Sequence, residues 1–204
     1  MKILAIAAHP DDIEYGCGGT LVKYSRGGHK VYLLIMSEGE MGGQPEIRKN
    51  EQAKAAVIYN VEDVFWGGYQ DTCLPIDKEI ITKIENIIHK IEPDFIFVHY
   101  FDDTHQDHRH LSQATVSATR YAKNVLFYEG PTTQNFAPSV YVDISKYFKE
   151  KILSLRAHRS QVARTHIEGH NIVDIASSNT IFRGIQSRVK YAEAFQPLRL
   201  FINI

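Results

Sequence analysis

The amino-acid sequence predicts an α/β fold in which helices cover both faces of a mostly parallel β-sheet. Short, continuous apolar runs recur along the chain, and such runs are typical of strands that are buried on both faces. Segments with a helical spacing of apolar residues separate these runs, which is the alternation that parallel sheets require. A length of 204 residues and an apolar content of 44% favour one domain with a full core, over residues 1–204.

Six apolar runs predict the strands of this sheet. In chain order they are Ile3–Ala8, Val31–Met36, Val64–Trp66, Phe95–His99, Val125–Tyr128 and Val140–Ile144. The second run, "VYLLIM", shows the pattern most plainly, because each of its residues is apolar. The motif "YAEAF" near residue 193 predicts one further short strand.

The helix prediction with the clearest periodicity covers residues 80–91, where isoleucines recur at spacings of three and four residues. Such spacing places them on one face, which a sheet can cover. The other predicted helices are Gly18–Arg26, Glu46–Tyr59, His108–Ala122, Ser145–His158 and Ile172–Val189. The longest predicted loop covers residues 130–138.

Charge and composition exclude several classes of partner. A formal charge of −1 and a pI near 6.8 argue against a nucleic-acid partner. The N-terminal run "ILAIAA" is too short for a signal peptide or a membrane span, so we expect no membrane partner. Cys17 and Cys73 have no CxxC spacing and fit reduced thiols. We therefore expect a cytoplasmic protein.

Polar or glycine-rich segments follow the first four predicted strands. In order they are "HPDD", "SEGEMGG", "GGYQD" and "HYFDDTHQDHRH". Ligands of open α/β sheets bind beyond the carboxyl ends of the strands, where these segments come together. The functional site is expected at that edge.

The residue types in two of these segments indicate a metal. The block His99–His110 holds four histidines and three aspartates, and imidazole and carboxylate together suit zinc. A catalytic zinc takes about three protein ligands and leaves one position open for water. His9, Asp12 and one histidine of the second block would supply that set, and a spare carboxylate could take the proton of the water.

A structural role is the alternative for the same acids. Asp11 or Asp12 could cap the helix that follows, and Asp107 could cap the next one. Two clusters at two strand exits favour the metal site over capping alone.

The two motifs together resemble the LmbE-like, or PIG-L-like, zinc deacetylases. That family opens with "AHPDDE" after its first strand and carries "HPDH" after its fourth, and this chain has "AHPDDIEYGCGGT" and "DDTHQDHRH". The resemblance continues in "GEMGGQPEIRKNEQAKAA", "NFAPSVYVDIS" and "HRSQ", so it covers nearly the whole chain. This chain departs from the pattern in two places, with Ile13 before Glu14 and Gln106 in place of the proline.

The resemblance implies a Rossmann-like fold and one Zn²⁺ per chain, with Fe²⁺ as the alternative metal. The matching metal ligands are His9, Asp12 and His108. The matching catalytic residues are Asp11 as general base, His105 as the group that stabilises the oxyanion or protonates the leaving amine, and Asp107, whose carboxylate orients His105. Arg48 matches an arginine that contacts substrate, with an exposed helix position as its alternative. Tyr69 and Asn135 are further substrate-binding candidates, with ordinary packing as the alternative for Tyr69.

The implied activity is hydrolysis of the N-acetyl group of an N-acetylglucosamine-type sugar conjugate, which releases acetate and a free amine. Relatives act on glycosyl-inositol or sugar–malate compounds, and the resemblance also implies a homo-oligomer, either a trimer or a hexamer. Two alternatives stay open at this point. One is a metal-dependent phosphoesterase or amidase with two metals, and the other is a metal- or sugar-binding protein without turnover.

Overall fold

The computed structural model describes residues 1–165 and 167–202, and a seven-stranded β-sheet forms its centre. The strands are β1 (Lys2–Ala7), β2 (Lys30–Ser37), β3 (Asp63–Tyr69), β4 (Phe95–His99), β5 (Val125–Tyr128), β6 (Val140–Asp143) and β7 (Ala192–Arg199). Their order across the sheet is β3-β2-β1-β4-β5-β7-β6. All pairs among the first five strands are parallel, whereas β7 runs antiparallel between β5 and β6. The predicted α/β class with a mostly parallel sheet is confirmed.

Helices connect the strands and cover both faces of the sheet. They are α1 (Asp12–Gly16), α2 (Gly18–Arg26), α3 (Pro45–Tyr59), α4 (Lys78–Ile91), α5 (Gln106–Ala118), α6 (Phe148–Ala157) and α7 (Ile172–Ser187). A short 3₁₀ turn covers Glu40–Gly42 between β2 and α3. Within the described residues no helix is both long enough and apolar enough to span a membrane.

Alternation along β1 explains why its sequence is apolar throughout. Leu4 and Ile6 pack into the core on the α4 and α5 side, and Ile3 and Ala5 pack into the core on the α2 side. A strand in the middle of a parallel sheet is buried on both faces, so both sets of side chains must be apolar. The chain then leaves β1 at the carboxyl edge of the sheet, where "HPDD" begins.

A buried ion pair joins β7 and α6 to the start of α2. The Lys151 ammonium lies 2.6 Å from Glu193 Oε1 and also donates to the backbone carbonyls of Glu14 and Tyr15. Glu193 accepts hydrogen bonds from the first backbone N–H groups of α2, at Gly19 (2.9 Å) and Thr20 (2.7 Å). A carboxylate at a helix N-terminus satisfies N–H groups that have no partner within the helix.

Candidate metal and active site

Residues from well-separated segments of the chain meet in a cavity of about 360 Å³ at the carboxyl edge of the sheet. The turn after β1 supplies His9, Asp11 and Asp12, and the segment after β3 supplies Asp71 and Thr72. The start of α5 supplies the rings of His105 and His108, and the loop after β5 supplies Pro131 and Thr132. The side chains that the strand-exit argument expects to be neighbours therefore do meet at this edge of the sheet.

The turn between β1 and α1 separates the two adjacent carboxylates. Asp11 has a backbone φ of +93°. Residues other than glycine rarely adopt such a positive φ, and those that do are found most often at functional sites. Asp11 occupies the N-cap position of α1, yet its side chain makes no capping hydrogen bond. Asp12 Oδ2 accepts from the backbone N–H of His9 at 2.8 Å. The capping alternative thus fails for Asp11, whose carboxylate lies on the cavity wall.

The Asp12 carboxylate contacts three imidazole rings. Its oxygens lie 3.3 Å from His9 Nδ1, 3.4 Å from His108 Nε2 and 3.2 Å from His99 Nε2. Burial alone would raise the pKa of Asp12, but the charges of His108 and His99 outweigh it and hold the pKa well below its usual range. Asp12 is therefore an ionised carboxylate at the centre of the cluster.

The second nitrogen of His9 faces two further acids. Nε2 lies 2.9 Å from Asp71 Oδ1 and 3.3 Å from Asp107 Oδ2. The Asp107 carboxylate also accepts from the backbone N–H groups of Thr72 (2.7 Å) and Leu74 (3.2 Å). Asp107 therefore fixes the segment after β3 against His9.

This geometry corrects the expected role of the Asp107 carboxylate. We expected it to hold the ring of His105, but the group that reaches His105 Nδ1 is the backbone N–H of Asp107, at 3.2 Å. His105 is the N-cap of α5, and residues in the first turn of a helix point in different directions around its axis. The carboxylate of residue 107 consequently points away from the ring of residue 105.

Asp103 holds the ring of His108. Its Oδ2 lies 3.3 Å from His108 Nδ1, while its oxygens accept from Thr132 Oγ1 (2.6 Å), Thr133 Oγ1 (2.9 Å) and the backbone N–H of His105 (2.8 Å). A carboxylate on the far nitrogen of a histidine orients the ring and is typical of metal ligands. The other ring nitrogen, Nε2, is thereby aimed at Asp12.

The donor atoms of this cluster could hold a divalent metal. Three groups of side chains place one donor each within 4.8 Å of one another: His9, His105 and His108; Asp12, His99 and His108; and His9, Asp71 and Asp107. Buried imidazole nitrogens and carboxylate oxygens in this mixture suit zinc and related metals. The expected ligands His9, Asp12 and His108 all belong to the cluster, and Asp12 contacts both histidines.

Arg48 is a buried residue that ties α3 to the turn before α1. Its guanidinium donates to the carbonyls of Pro10 (2.6 Å) and Gly39 (2.7 Å) and lies 3.4 Å from Asp11 Oδ2. Only 4% of Arg48 is exposed, so the exposed-helix alternative is wrong. Burial raises the pKa of Asp11 to about 6, and the guanidinium charge acts in the opposite direction.

Two of the expected substrate-binding residues do not line the cavity. Tyr69 packs against the core below the sheet edge, with Lys83 Nζ 4.6 Å above its ring. Asn135 is exposed and donates to Asp102 Oδ2 at 2.8 Å. The structure instead places Met41, Gly42 and Gln161 on the wall, beside Arg48.

Two residues that sequence reasoning did not assign have a place in the cluster, His99 and Asp103. Both lie in the histidine-rich block, whose composition indicated a metal but gave these two side chains no individual role. Asp71, in the "GGYQD" segment, joins the cluster through His9. The first and last residues of the "HRSQ" motif lie in different places. Gln161 lines the cavity, whereas His158 is buried, 3.6 Å from Glu14 Oε2.

Comparison with known proteins agrees with this geometry. The family model described as "PIG-L: GlcNAc-PI de-N-acetylase" matches residues 4–119. An uncharacterized deacetylase, YaiS, from Escherichia coli K12 is 32% identical over 167 residues, which cover 78% of this chain and 90% of the relative. A diacetylchitobiose deacetylase from Thermococcus kodakarensis is 28% identical over 188 residues, 78% of this chain and 70% of the relative.

A solved structure shows the same fold over nearly the full length. The conserved protein TT1542 from Thermus thermophilus superposes with a TM-score of 0.88 at 28% identity. The superposition covers 99% of this chain and 96% of that chain.

Proposed function

Because this chain belongs to the PIG-L, or LmbE-like, family of metal-dependent N-deacetylases, we propose that it hydrolyses the N-acetyl group of an N-acetylglucosamine-type sugar conjugate. The products are acetate and the free amine. One observation carries the proposal: a buried Asp12–histidine cluster with a second carboxylate, Asp11, beside it on the wall of an open cavity. A pure binding protein has no need of that second carboxylate.

In this proposal His9, Asp12 and His108 hold one Zn²⁺ per chain, and Fe²⁺ is the alternative, since imidazole and carboxylate suit both. Support comes from the contacts of Asp12 with both histidines and from Asp103, which orients His108. Zinc bound there supplies Lewis-acid chemistry and makes water acidic enough to react near neutral pH.

Asp11 takes the proton of the attacking water. It neighbours Asp12 in the chain, and its unusual backbone conformation turns its carboxylate into the cavity and away from a capping position. Burial raises its pKa, which makes it a better proton acceptor than an ordinary aspartate. Arg48 keeps the turn that carries Asp11 in place.

His105 donates a hydrogen bond to the developing oxyanion, and Asp11 then passes the proton that it took from the water to the leaving amine. The Nδ1 of His105 accepts from the backbone N–H of Asp107, so a neutral ring carries its proton on Nε2. Burial and the charge of His108 lower the pKa of His105, which favours that neutral donor. A donor aimed at an oxyanion is typically worth roughly 10²–10³ in rate.

Acetate and amine release from a panel of N-acetyl sugars, measured with and without a chelator, tests this function. We expect chelator-sensitive release, and we expect His105→Ala to lower the rate roughly 10²–10³-fold at unchanged metal content. His89→Ala is the matched control, because His89 is an exposed histidine on α4. Full metal content without amine from any sugar would favour the binding protein, and two metals per chain would favour the two-metal hydrolase.

Metal binding should also stabilise the fold. Zinc at a hundred times its dissociation constant should add about 2.7 kcal/mol to the free energy of unfolding. For a chain of this size that corresponds to a melting temperature higher by roughly 5–10 °C. Differential scanning calorimetry of stripped and loaded protein measures the shift. Asp12→Asn should abolish it, and Asp102→Asn should keep it, because Asp102 contacts Asn135 and does not line the cavity.

A further inference from the structure

Helix α7 presents large apolar side chains to solvent. Its inner face packs against β7 and β6, and Val173 and Ala176 are buried there. On its outer side Ile181, Phe182 and Ile185 keep 44%, 52% and 63% of their surface exposed. Large apolar residues that stay exposed side by side on a folded protein mark a contact surface.

The exposed residues of α7 follow the spacing of a helix that packs along another helix. One row runs the length of α7 and consists of Asp174, Ser178, Ile181, Ile185 and, at the C-cap, Arg188. Successive members of this row are four, three, four and three positions apart. The same alternation forms the contact seam of paired helices, so the partner that this row fits is another helix.

The charges at the two ends of the row indicate which helix fits. Asp174 and Arg188 lie on either side of Ile181, each seven residues from it, which is about two helical turns. When the α7 helices of two copies run antiparallel about a two-fold axis at Ile181, the aspartate of each copy lies level with the arginine of the other. A parallel pair would set like charges against each other. The helix cap leaves Asp174 Oδ1 for this contact, because the backbone N–H of Asn171 donates to Oδ2, at 3.1 Å.

The surface beside the row has a shape that suits the same arrangement. A hollow of about 520 Å³ lies between the N-terminal half of α7 and the loop that carries Pro131 and Thr133. The antiparallel arrangement sets the C-terminal half of the second helix, with its protruding Ile185, level with this half. Each copy thus offers the other an apolar side chain and a space beside its own helix.

We propose that two copies of this chain associate through α7, with the two helices antiparallel about a two-fold axis at Ile181. Both copies contribute the same surface, so the contact closes on itself. Such a contact makes a dimer or joins two trimers into a hexamer, but it cannot build a trimer. It therefore separates the two assemblies that the sequence resemblance implies. The inference does not depend on the proposed activity.

The mass in solution, measured by size-exclusion chromatography with light scattering, tests the contact. We expect wild type to have an even multiple of the chain mass of 23.3 kDa. Ile181→Glu should have half the wild-type mass, because it sets two carboxylates against each other at the axis. Val57→Glu is the matched control, since it places the same charge on an exposed apolar residue of α3, and it should keep the wild-type mass. Circular dichroism checks that both variants are folded.

Disulfide cross-linking tests the orientation and does not depend on the Ile181→Glu variant. Cys73 is exposed and is first replaced by serine, whereas Cys17 is buried and can stay. Ile181→Cys should then form a covalent dimer on oxidation, because the axis brings two copies of this position together. Arg188→Cys alone should not cross-link, but a mixture of Arg188→Cys and Asp174→Cys should.

A wild-type mass of one or three chains would overturn the proposal, and so would equal masses for wild type and Ile181→Glu. Cross-linking of Arg188→Cys with itself, at the same yield as Ile181→Cys, would overturn the antiparallel orientation. A halved mass together with selective cross-linking at position 181 supports the two-fold contact.

Discussion

Asparagine in place of Asp11 is expected to lower deacetylation by roughly 10²–10⁴-fold, the range that a positioned general base contributes. The substitution keeps the size of the side chain and its contact with Arg48 but removes the proton acceptor from the cavity wall. Metal content should stay at the wild-type value, because the donors around Asp12 are untouched. Steady-state rates on the best sugar of the panel, with elemental analysis of the same sample, measure both quantities.

The neighbouring substitution Asp12→Asn is the informative partner of this experiment. Asp12 touches His9, His99 and His108, so its loss should empty the metal site and abolish activity together. If Asp11→Asn also lost its metal, or kept a wild-type rate, the assignment of Asp11 as general base and Asp12 as metal ligand would be wrong.

Methionine in place of Lys151 is expected to lower the free energy of unfolding by about 3–5 kcal/mol, the cost of removing one partner from a buried ion pair. Lys151 is 1% exposed, and its loss leaves the Glu193 carboxylate buried with only the two N–H groups of α2 as partners. Methionine fills most of the lysine volume, so the effect reports the charge and not a cavity. Urea denaturation monitored by circular dichroism gives the value.

Lys149→Met is the matched control, since Lys149 is an exposed residue two positions earlier in the same helix, α6. It should change the free energy of unfolding by less than about 0.5 kcal/mol. The double variant Lys151→Met with Glu193→Gln removes both charges and should recover part of the loss. Equal values for the two lysine variants would show that the buried pair does not stabilise the fold.

Local pattern was enough to predict most of the sheet. The parallel strands β1, β2, β4 and β5 contain continuous apolar runs, and continuity is what burial on both faces demands. The edge strand β3 has only the shorter run Val64–Trp66 and is half-buried. The position of β7 could not be predicted in the same way. "YAEAF" indicated a strand, but its insertion between β5 and β6 depends on pairing with residues about fifty or more positions away, which no local pattern encodes.

The candidate site could likewise be predicted only in part from the sequence. The strand-exit rule brings His9, Asp12 and His108 together, because parallel strands end at one edge. It says nothing about where a side chain points. The Asp107 carboxylate turns to His9, and Tyr69 turns to the core, because the local helix start and the strand register set those directions. The contact between Asp103 and His108 could not be predicted either, because it depends on the folded positions of the two side chains.

The place of β7 in the sheet also has a consequence for the order in which the chain can fold during synthesis. β5 pairs with β4 on one side, but its other side and all of β6 have no strand partner until β7 is made, and the ribosome makes β7 last of these strands. Helix α2 is made much earlier, but the carboxylate that accepts from its first N–H groups belongs to Glu193 and is made only with β7. Domains generally fold as units as they emerge from the ribosome, and unpaired strand edges favour aggregation. A nascent chain that stalls before residue 192 would therefore expose the unpaired edges of β5 and β6 and an uncapped start of α2, and we expect it to aggregate more readily than the full chain.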